Sequence, residues 1–292
     1  MALLERILVP VDFSERSHGA ARYVEALADK NETEIFLVHV TTPLNYELSA
    51  LDVGGTVLNE LNADRTAELS EQLNQFAAEE LRPYRVERLL FEGDPAKRVV
   101  EFAHERQVNL IVMPTHGYGL FRRFLLGSVT AKVLHDAECP VWTGVHLDQS
   151  PSFDQIRFRR IVVGVDVVCV PQALRAISWA AQMAEREKAE MVIVHAYPSL
   201  EGRAGEYFDP NWRTCFTQAA NDEIQKMQQK LGTDAELVLE SGDPAQVVCD
   251  LASARQADLM VIGRGSAAGM FGRLRANAYS IIRQSPCPVV SV

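Results

Sequence analysis

Short runs of apolar residues recur along the chain and alternate with longer amphipathic stretches. Runs such as Ile-Leu-Val-Pro-Val and Asn-Leu-Ile-Val-Met are apolar at consecutive positions, which is typical of parallel strands that are covered on both faces. In the first half of the chain, strands are predicted at residues 6–11, 34–40, 85–91, 110–113 and 141–145. Helices are predicted between them at 15–29, 57–80, 95–106 and 128–136.

The second half of the chain repeats this alternation of strands and helices. Its predicted strands are at residues 161–165, 191–196, 236–239, 259–262 and 289–292. Strands that alternate with helices predict βαβ units with right-handed crossovers. We therefore expect an α/β fold, with two tandem open-sheet domains that carry helices on both faces of a parallel sheet.

Three short sequence blocks occur in both halves in the same order. They are Val-Pro-Val-Asp and Val-Gly-Val-Asp at 9–12 and 163–166, Gly-Asp-Pro-Ala at 93–96 and 242–245, and Cys-Pro-Val at 139–141 and 287–289. One such match arises easily by chance, but three in one order indicate a tandem duplication. Residues 146–158 lack periodicity and are interpreted as a linker, so the predicted domains are 1–147 and 158–292.

Charge and composition exclude several classes of protein. The 292 residues carry a net charge of −10, whereas a nucleic-acid binder held by phosphate contacts needs a basic face. No apolar run approaches the roughly 18 residues of a membrane span, and no basic segment followed by a long apolar one indicates a signal peptide. The five cysteines lack metal-type spacing, which favours reduced thiols in a cytoplasmic protein without nucleic-acid or membrane partners.

The repeated Gly-Asp-Pro-Ala block has a local structural explanation. Asp94 and Asp243 can cap the helix that follows, and the next residue is a proline at the first helical position, where no N–H is needed. Gly93 and Gly242 permit a tight turn from strand to helix. The block therefore indicates duplication more than function.

The loop between the fourth predicted strand and the next helix is the clearest candidate for ligand binding. Gly117 follows the strand, and Gly127 and Ser128 open the helix. A helix N-terminus offers unpaired N–H groups and a partial positive charge, which suit a phosphate. Asp12 ends the first strand, where a carboxylate can accept hydrogen bonds from ribose hydroxyls. Ligands of open parallel sheets bind outside the carboxyl ends of the strands, so these residues predict a nucleotide site.

These motifs resemble those of the universal stress protein family, which carries Gly-x-x-Gly, nine residues, and then Gly-Ser or Gly-Thr. Ile-Leu-Val-Pro-Val-Asp near the start, Val-His-Val on the second strand and a closing Cys-Pro-Val are further marks of that family. The likeness spans both halves. It implies in each half a five-stranded parallel sheet in the order 3-2-1-4-5, with a site for an adenine nucleotide.

The resemblance also implies individual roles. Pro10, Val11 and Asp12 would border the adenine and ribose, and Val40 would meet the adenine with its backbone. Ribose and phosphates would be held by Met113, Gly117, Gly127, Ser128 and Val129. The implied cofactor is ATP or AMP, which Mg²⁺ or Mn²⁺ could accompany, with Asp12 and Ser128 as candidate metal contacts.

The sequence departs from the family pattern in the first half at one position. Pro114 stands where the family has the first motif glycine. Proline has no N–H and a fixed φ, so one backbone donor to the ligand is lost.

The second half departs further. Ser266 replaces the second motif glycine, and Ala276-Asn277 replaces Gly-Ser. Val168 and Cys169 stand where Ser14 can supply a polar cap in the first half. We interpret the second half as a degenerate copy of the motif that supports pairing and stability.

No pair of a nucleophile and a base is evident in the sequence. Our leading hypothesis is therefore an ATP- or AMP-binding stress-response sensor or regulator and not a fast enzyme. One alternative is a nucleotide-independent interaction module that dimerises, which Pro114 and the eroded second motif favour. Another is slow ATP hydrolysis, which needs a positioned water and usually a metal. We expect the chain to form a homodimer.

Overall fold

In a computed structural model, the chain consists of two compact units, Met1–Ile156 and Arg157–Val292. The structure describes residues 3–42, 55–115, 126–144, 147, 155–197, 212–264 and 272–292. None of the helices within these ranges is long and apolar enough to cross a membrane.

Unit 1 alternates strands and helices over its described residues. Its strands are β1 (Arg6–Pro10), β2 (Glu34–Thr41), β3 (Arg85–Glu92), β4 (Leu110–Pro114) and β5 (Val141–Gly144). Its helices are α1 (Glu15–Leu27), α2 (Gly55–Gln75), α3 (Pro95–Glu105) and α4 (Ser128–Asp136). All strand pairs are parallel, in the order β3-β2-β1-β4-β5.

Unit 2 repeats this arrangement. Its strands are β6 (Arg160–Gly164), β7 (Glu190–Tyr197), β8 (Glu236–Ser241), β9 (Leu259–Ile262) and β10 (Val289–Ser291). Its helices are α5 (Val170–Glu187), α6 (Trp212–Leu231), α7 (Pro244–Ala254) and α8 (Gly272–Gln284). The strands are again parallel, in the order β8-β7-β6-β9-β10. The predicted α/β fold, with strand order 3-2-1-4-5 in each half, is confirmed.

The central strands form the core of each unit because both of their faces are covered. Ile7 and Leu8 of β1 and Ile111 of β4 have no exposed surface, and neither does Val163 of β6. In unit 1, α1 packs against β1 and β4. This burial accounts for the continuous apolar runs by which the strands were predicted.

Helix α2 ends earlier than the sequence predicts, at Gln75 and not at residue 80. Ala77 adopts a left-handed conformation with φ 49°, which an α-helix cannot contain. Arg88 of β3 donates from Nε to the Leu73 carbonyl, at 3.0 Å, and from its guanidinium to the Phe76 carbonyl, at 3.3 Å. A side chain distant in sequence thus satisfies carbonyl groups at the end of the helix.

The Gly-Asp-Pro-Ala blocks form the predicted turns and helix caps. Gly93 and Gly242 have φ of 132° and 154°, a region that favours glycine. The Asp94 carboxylate accepts a 2.9 Å hydrogen bond from the backbone N–H three residues on. The Asp243 carboxylate accepts from the backbone N–H groups two and three residues on, at 3.0 and 3.1 Å. The expectation of N-terminal caps at α3 and α7 is confirmed.

Candidate functional site

The predicted site residues of unit 1 lie on elements that meet at one edge of its sheet. β1 lies between β2 and β4, so the chain leaves β1 at the point where the strand order reverses, as in the ligand clefts of open α/β sheets. Pro10 ends β1, Val11 and Asp12 follow it, Val40 and Met113 lie in β2 and β4, and Gly127, Ser128 and Val129 lie at the start of α4. Gly117 lies outside the described residues.

Asp12 is held in place by two serines of the turn that leads into α1. Its Oδ1 accepts from the Ser14 backbone N–H at 3.0 Å and from the hydroxyls of Ser14 and Ser17 at 2.5 Å each. The Ser17 hydroxyl also accepts from the Asp12 backbone N–H at 3.2 Å. Among the described residues, no group donates to Oδ2. One carboxylate oxygen therefore fixes the orientation, and the other is left as an acceptor for a ligand hydroxyl.

The turn after β1 carries backbone strain. Phe13 has φ 62°, a conformation that non-glycine residues adopt at a cost and that concentrates at functional sites. Its ring centroid lies 4.6 Å from that of His39. The His39 Nδ1 lies 2.7 Å from the Val11 carbonyl oxygen, and because a carbonyl only accepts, Nδ1 is the donor. His39 thus stabilises the turn that places Asp12.

Val40 presents its backbone at the same edge of the sheet. The Val11 N–H donates to the Val38 carbonyl at 2.8 Å, which is the last hydrogen bond between β1 and β2. Backbone groups of alternate residues in a strand point the same way, so the N–H and C=O of Val40 point to the β1 side beyond that bond. This position suits contact with the edge of a ring such as adenine.

The start of α4 is tied to the end of β4. The Gly127 N–H donates to the Thr115 carbonyl at 2.8 Å, and the Thr130 hydroxyl donates to the Pro114 carbonyl at 3.0 Å. Gly127 is the N-cap of α4 and makes no side-chain cap, so the first-turn N–H groups that follow it are available for an anion. Since the Gly127 N–H is already used, what Gly127 offers a phosphate is space for close approach.

Pro114 is an integral part of β4. It is buried, ends the strand and pairs in register with Gly144 of β5. Its carbonyl anchors α4 through Thr130. The proline removes an N–H from the candidate site but leaves the connection between β4 and α4 intact.

The equivalent turn of unit 2 lacks the two serines that hold the aspartate in unit 1. Asp166 Oδ1 accepts from the Val168 backbone N–H at 2.9 Å. Cys169 is the N-cap of α5 and makes no side-chain cap. Burial and the neighbouring Asp166 carboxylate raise the pKa of the Cys169 thiol. Ala173 stands at the buried position on α5 that Ser17 occupies on α1.

Unit 2 nevertheless contains a cavity of about 640 Å³ at the carboxyl ends of β6, β7 and β9. Apolar residues dominate its lining, among them Val165, Ala173, Phe216, Val248, Ile262 and Ile281. His195 also lines it, and its Nδ1 donates to the Val165 carbonyl at 3.0 Å, as His39 does in unit 1. Both histidines thus connect the second strand of their unit to the turn after its first strand, which indicates a structural role.

Two features of the structure were not predicted from the sequence. The role of Ser17 was not predicted, although Asp-x-Ser-x-x-Ser at 12–17 would have been a signal for it. The cavity of unit 2 had no such signal, because its lining comes from strands and helices far apart in the chain. Within the described part of the chain, no group of three or more His, Cys, Asp or Glu side chains is placed to hold a metal ion.

Comparison with known proteins extends the resemblance to both halves. The profile of the Universal stress protein family matches residues 4–143 and 157–292. A universal stress protein of Methanocaldococcus jannaschii is 30% identical over 139 residues, which cover 48% of this chain and 81% of that protein. A universal stress protein of Mycolicibacterium smegmatis is 26% identical over 290 residues, which cover 98% of this chain and 96% of that protein.

The fold as a whole is also found in a solved structure. The crystal structure of a universal stress protein from Archaeoglobus fulgidus superposes with a TM-score of 0.70 at 22% identity, and the match covers 99% of this chain and 97% of that one. Because the family profile matches each half separately and the two matches leave few residues outside them, the chain belongs to the universal stress protein family.

Proposed function

We propose that unit 1 binds an adenine nucleotide, ATP or AMP, and that the protein acts as a nucleotide-dependent regulator and not as a fast enzyme. The observation that carries this proposal is the Asp12 carboxylate, whose Oδ1 is fixed by Ser14 and Ser17 while Oδ2 has no donor among the described residues. It lies where the strand order reverses, the position at which open α/β sheets bind nucleotides.

The surrounding groups support each part of such a ligand. The backbone of Val40 suits the adenine edge, and Asp12 Oδ2 suits a ribose hydroxyl. The first turn of α4 offers N–H groups and the positive end of a helix dipole to the phosphates. The residues present therefore fit an adenine nucleotide, even though Pro114 contributes no N–H.

Calorimetry with ATP and with AMP tests the proposal most directly on Asp12→Asn. The asparagine Oδ1 can keep the hydrogen bonds from Ser14 and Ser17, while Nδ2 replaces the acceptor that would face the ribose. We expect the affinity to fall at least tenfold, which corresponds to a loss of about 1.4 kcal/mol. Asp166→Asn is the matched control in unit 2, and it should leave nucleotide affinity unchanged.

A second variant probes the phosphate end of the site. Gly127 has φ −61° and ψ 146°, which alanine adopts without strain. If Gly127→Ala loses nucleotide binding while its melting temperature is unchanged, the added methyl group occupies space that the phosphate needs. Absence of binding by the wild-type protein at millimolar ATP and AMP would overturn the proposal.

The other expectations about function remain predictions. If nucleotides do not bind, the interaction module becomes the leading alternative. Phosphate release by the wild-type protein that is faster than by Gly127→Ala would support slow hydrolysis. Light scattering of the purified protein tests the expected homodimer.

A further inference from the structure

The cavity of unit 2 has the size of a small-molecule site. Its volume of about 640 Å³ falls within the range of roughly 300–1,000 Å³ that is typical of such sites. Strand ends, the turn after β6 and helices α5 to α8 all contribute to its lining. Every one of these lining residues belongs to the same compact unit.

Apolar surface is exposed at this cavity to an unusual degree. Three large apolar side chains are exposed among the described residues, and two of them, Val168 and Phe216, line the cavity. Val168 is 83% exposed and Phe216 is 52% exposed. Apolar side chains that cluster at a concave site mark it as a place where an apolar ligand or partner binds.

The polar groups of the cavity do not suit a phosphate. The described lining residues include two carboxylates, Asp166 and Glu223, and no Lys or Arg. Lys226 lies 3.3 Å from Glu223 Oε2, but its own side chain is 70% exposed, so it offsets only part of the charge of the two carboxylates. The charged groups among the described lining residues therefore oppose an anion and favour a cation.

His195 and Asp166 each offer a hydrogen-bond acceptor in the lining of the cavity. Because the Nδ1 of His195 donates to the Val165 carbonyl, the Nε2 of the uncharged ring is an acceptor. Asp166 receives the backbone N–H of Val168 and a hydrogen bond from the Cys169 thiol, whereas three donors hold Asp12 in unit 1. An N–H donor on the ligand would supply what these acceptors lack.

We propose that the cavity of unit 2 binds a small apolar molecule that carries a positively charged amine, with the apolar part against Phe216, Val248 and Ile281 and the amine near Asp166 and Glu223. Under this proposal the second unit is a ligand-binding unit with a different specificity. The proposal concerns another unit and another ligand class than the nucleotide site, so either can fail without the other.

Calorimetry with two probes of equal shape and opposite charge tests the proposal on the full chain. 4-Phenylbutylamine is the cationic probe and 4-phenylbutyrate is the anionic one. We expect the amine to bind at least tenfold more tightly than the carboxylate. Equal binding, tighter binding of the carboxylate or no binding of the amine would overturn the proposal.

Two sets of variants locate the binding. Ala219 is exposed and lines the cavity, so Ala219→Trp should obstruct it and weaken amine binding at least tenfold. Gln225→Trp, at an exposed position of α6 outside the cavity lining, is the matched control and should bind as the wild type does. Equal amine affinity in both tryptophan variants would place the binding elsewhere and overturn the proposal.

The double variant Asp166→Asn and Glu223→Gln tests the charge preference without changing the volume of the cavity. The ratio of amine to carboxylate affinity should fall close to one, while the neutral 4-phenylbutanol should bind as it does to the wild-type protein. If this variant still prefers the amine over the carboxylate as strongly as the wild type does, Asp166 and Glu223 do not cause the preference. ATP titrated into the same variant separates this outcome from failure of the nucleotide site in unit 1.

Discussion

The hydroxyl of Ser17 joins the side chain and the backbone of Asp12, since it donates to Oδ1 at 2.5 Å and accepts from the Asp12 N–H at 3.2 Å. Ser17 is fully buried, so water cannot replace either bond. The first turn of α1 thereby fixes Asp12, which lies two residues beyond the end of β1. In unit 2, Ala173 occupies the corresponding helix position and offers no such contact.

Ser17→Ala should therefore both destabilise the protein and weaken nucleotide binding. The half-buried Asp12 N–H would lose its acceptor, at a cost of about 0.5–1.5 kcal/mol, and the carboxylate would lose one of its three donors. Urea denaturation and calorimetry with ATP measure the two effects. Ser178→Ala on α5 is the control and should leave ATP affinity unchanged. If Ser17→Ala binds ATP with wild-type affinity, the hydrogen bonds between Ser17 and Asp12 do not position the carboxylate for the nucleotide.

Thr130→Val should loosen the junction between β4 and α4. Thr130 is buried and donates its hydroxyl to the Pro114 carbonyl at 3.0 Å. Valine has nearly the same shape but leaves that carbonyl unsatisfied, so we expect a loss of about 1–3 kcal/mol in the free energy of unfolding. Thr130→Ser keeps the hydroxyl and should retain most of the stability. Urea denaturation compares the three proteins, and equal losses in both variants would contradict the role of the hydrogen bond.

The Asp94 carboxyl should titrate below its ordinary value of 3.8. A hydrogen bond from the Lys97 backbone N–H lowers the pKa of Asp94, and the ion pair with Lys132 lowers it further. Because the folded pKa is depressed, the stabilisation by the carboxylate is complete above the unfolded pKa and is lost as the pH falls through the folded pKa. The stabilisation by the Asp94 carboxylate is therefore lost below about pH 4.

NMR of the carboxyl carbon over pH 2–6 measures this titration. Lys132→Met should raise the midpoint of Asp94 while the backbone hydrogen bond keeps it below 3.8. A midpoint of Asp94 that is unchanged by Lys132→Met would show that the ion pair does not form in solution.

The cysteines should differ sharply in their reactivity toward a disulfide reagent. Burial raises the pKa of Cys249 to about 11 and that of Cys287 to about 12, and only the thiolate reacts. Cys215 is exposed and should react first at pH 8. When the modification is followed by absorbance, its fast phase should be absent in Cys215→Ser. Cys249 and Cys287 should react only in urea. Fast modification of Cys287 in the native protein would contradict its burial.

Much of the architecture followed from the sequence because its causes are local. Consecutive apolar residues indicate a strand covered on both faces, and Gly-Asp-Pro-Ala specifies a turn, a cap and a helix start within four residues. The same block in both halves indicated the duplication, and Asp12, Gly127 and Ser128 were correctly placed at strand and helix ends. Each of these features depends on neighbours within one turn or one strand.

Features that depend on contacts between distant residues were decided only by the tertiary structure. The end of α2 is set by Ala77 together with Arg88, a residue of the following strand. The 640 Å³ cavity of unit 2 arises where three strand ends and four helices meet, and no segment of the sequence specifies its shape. The sequence by itself determined two copies of one fold and the position of one candidate ligand motif. Whether the second copy contains a cavity was decided by packing, because packing and not local propensity determines which apolar surfaces remain uncovered.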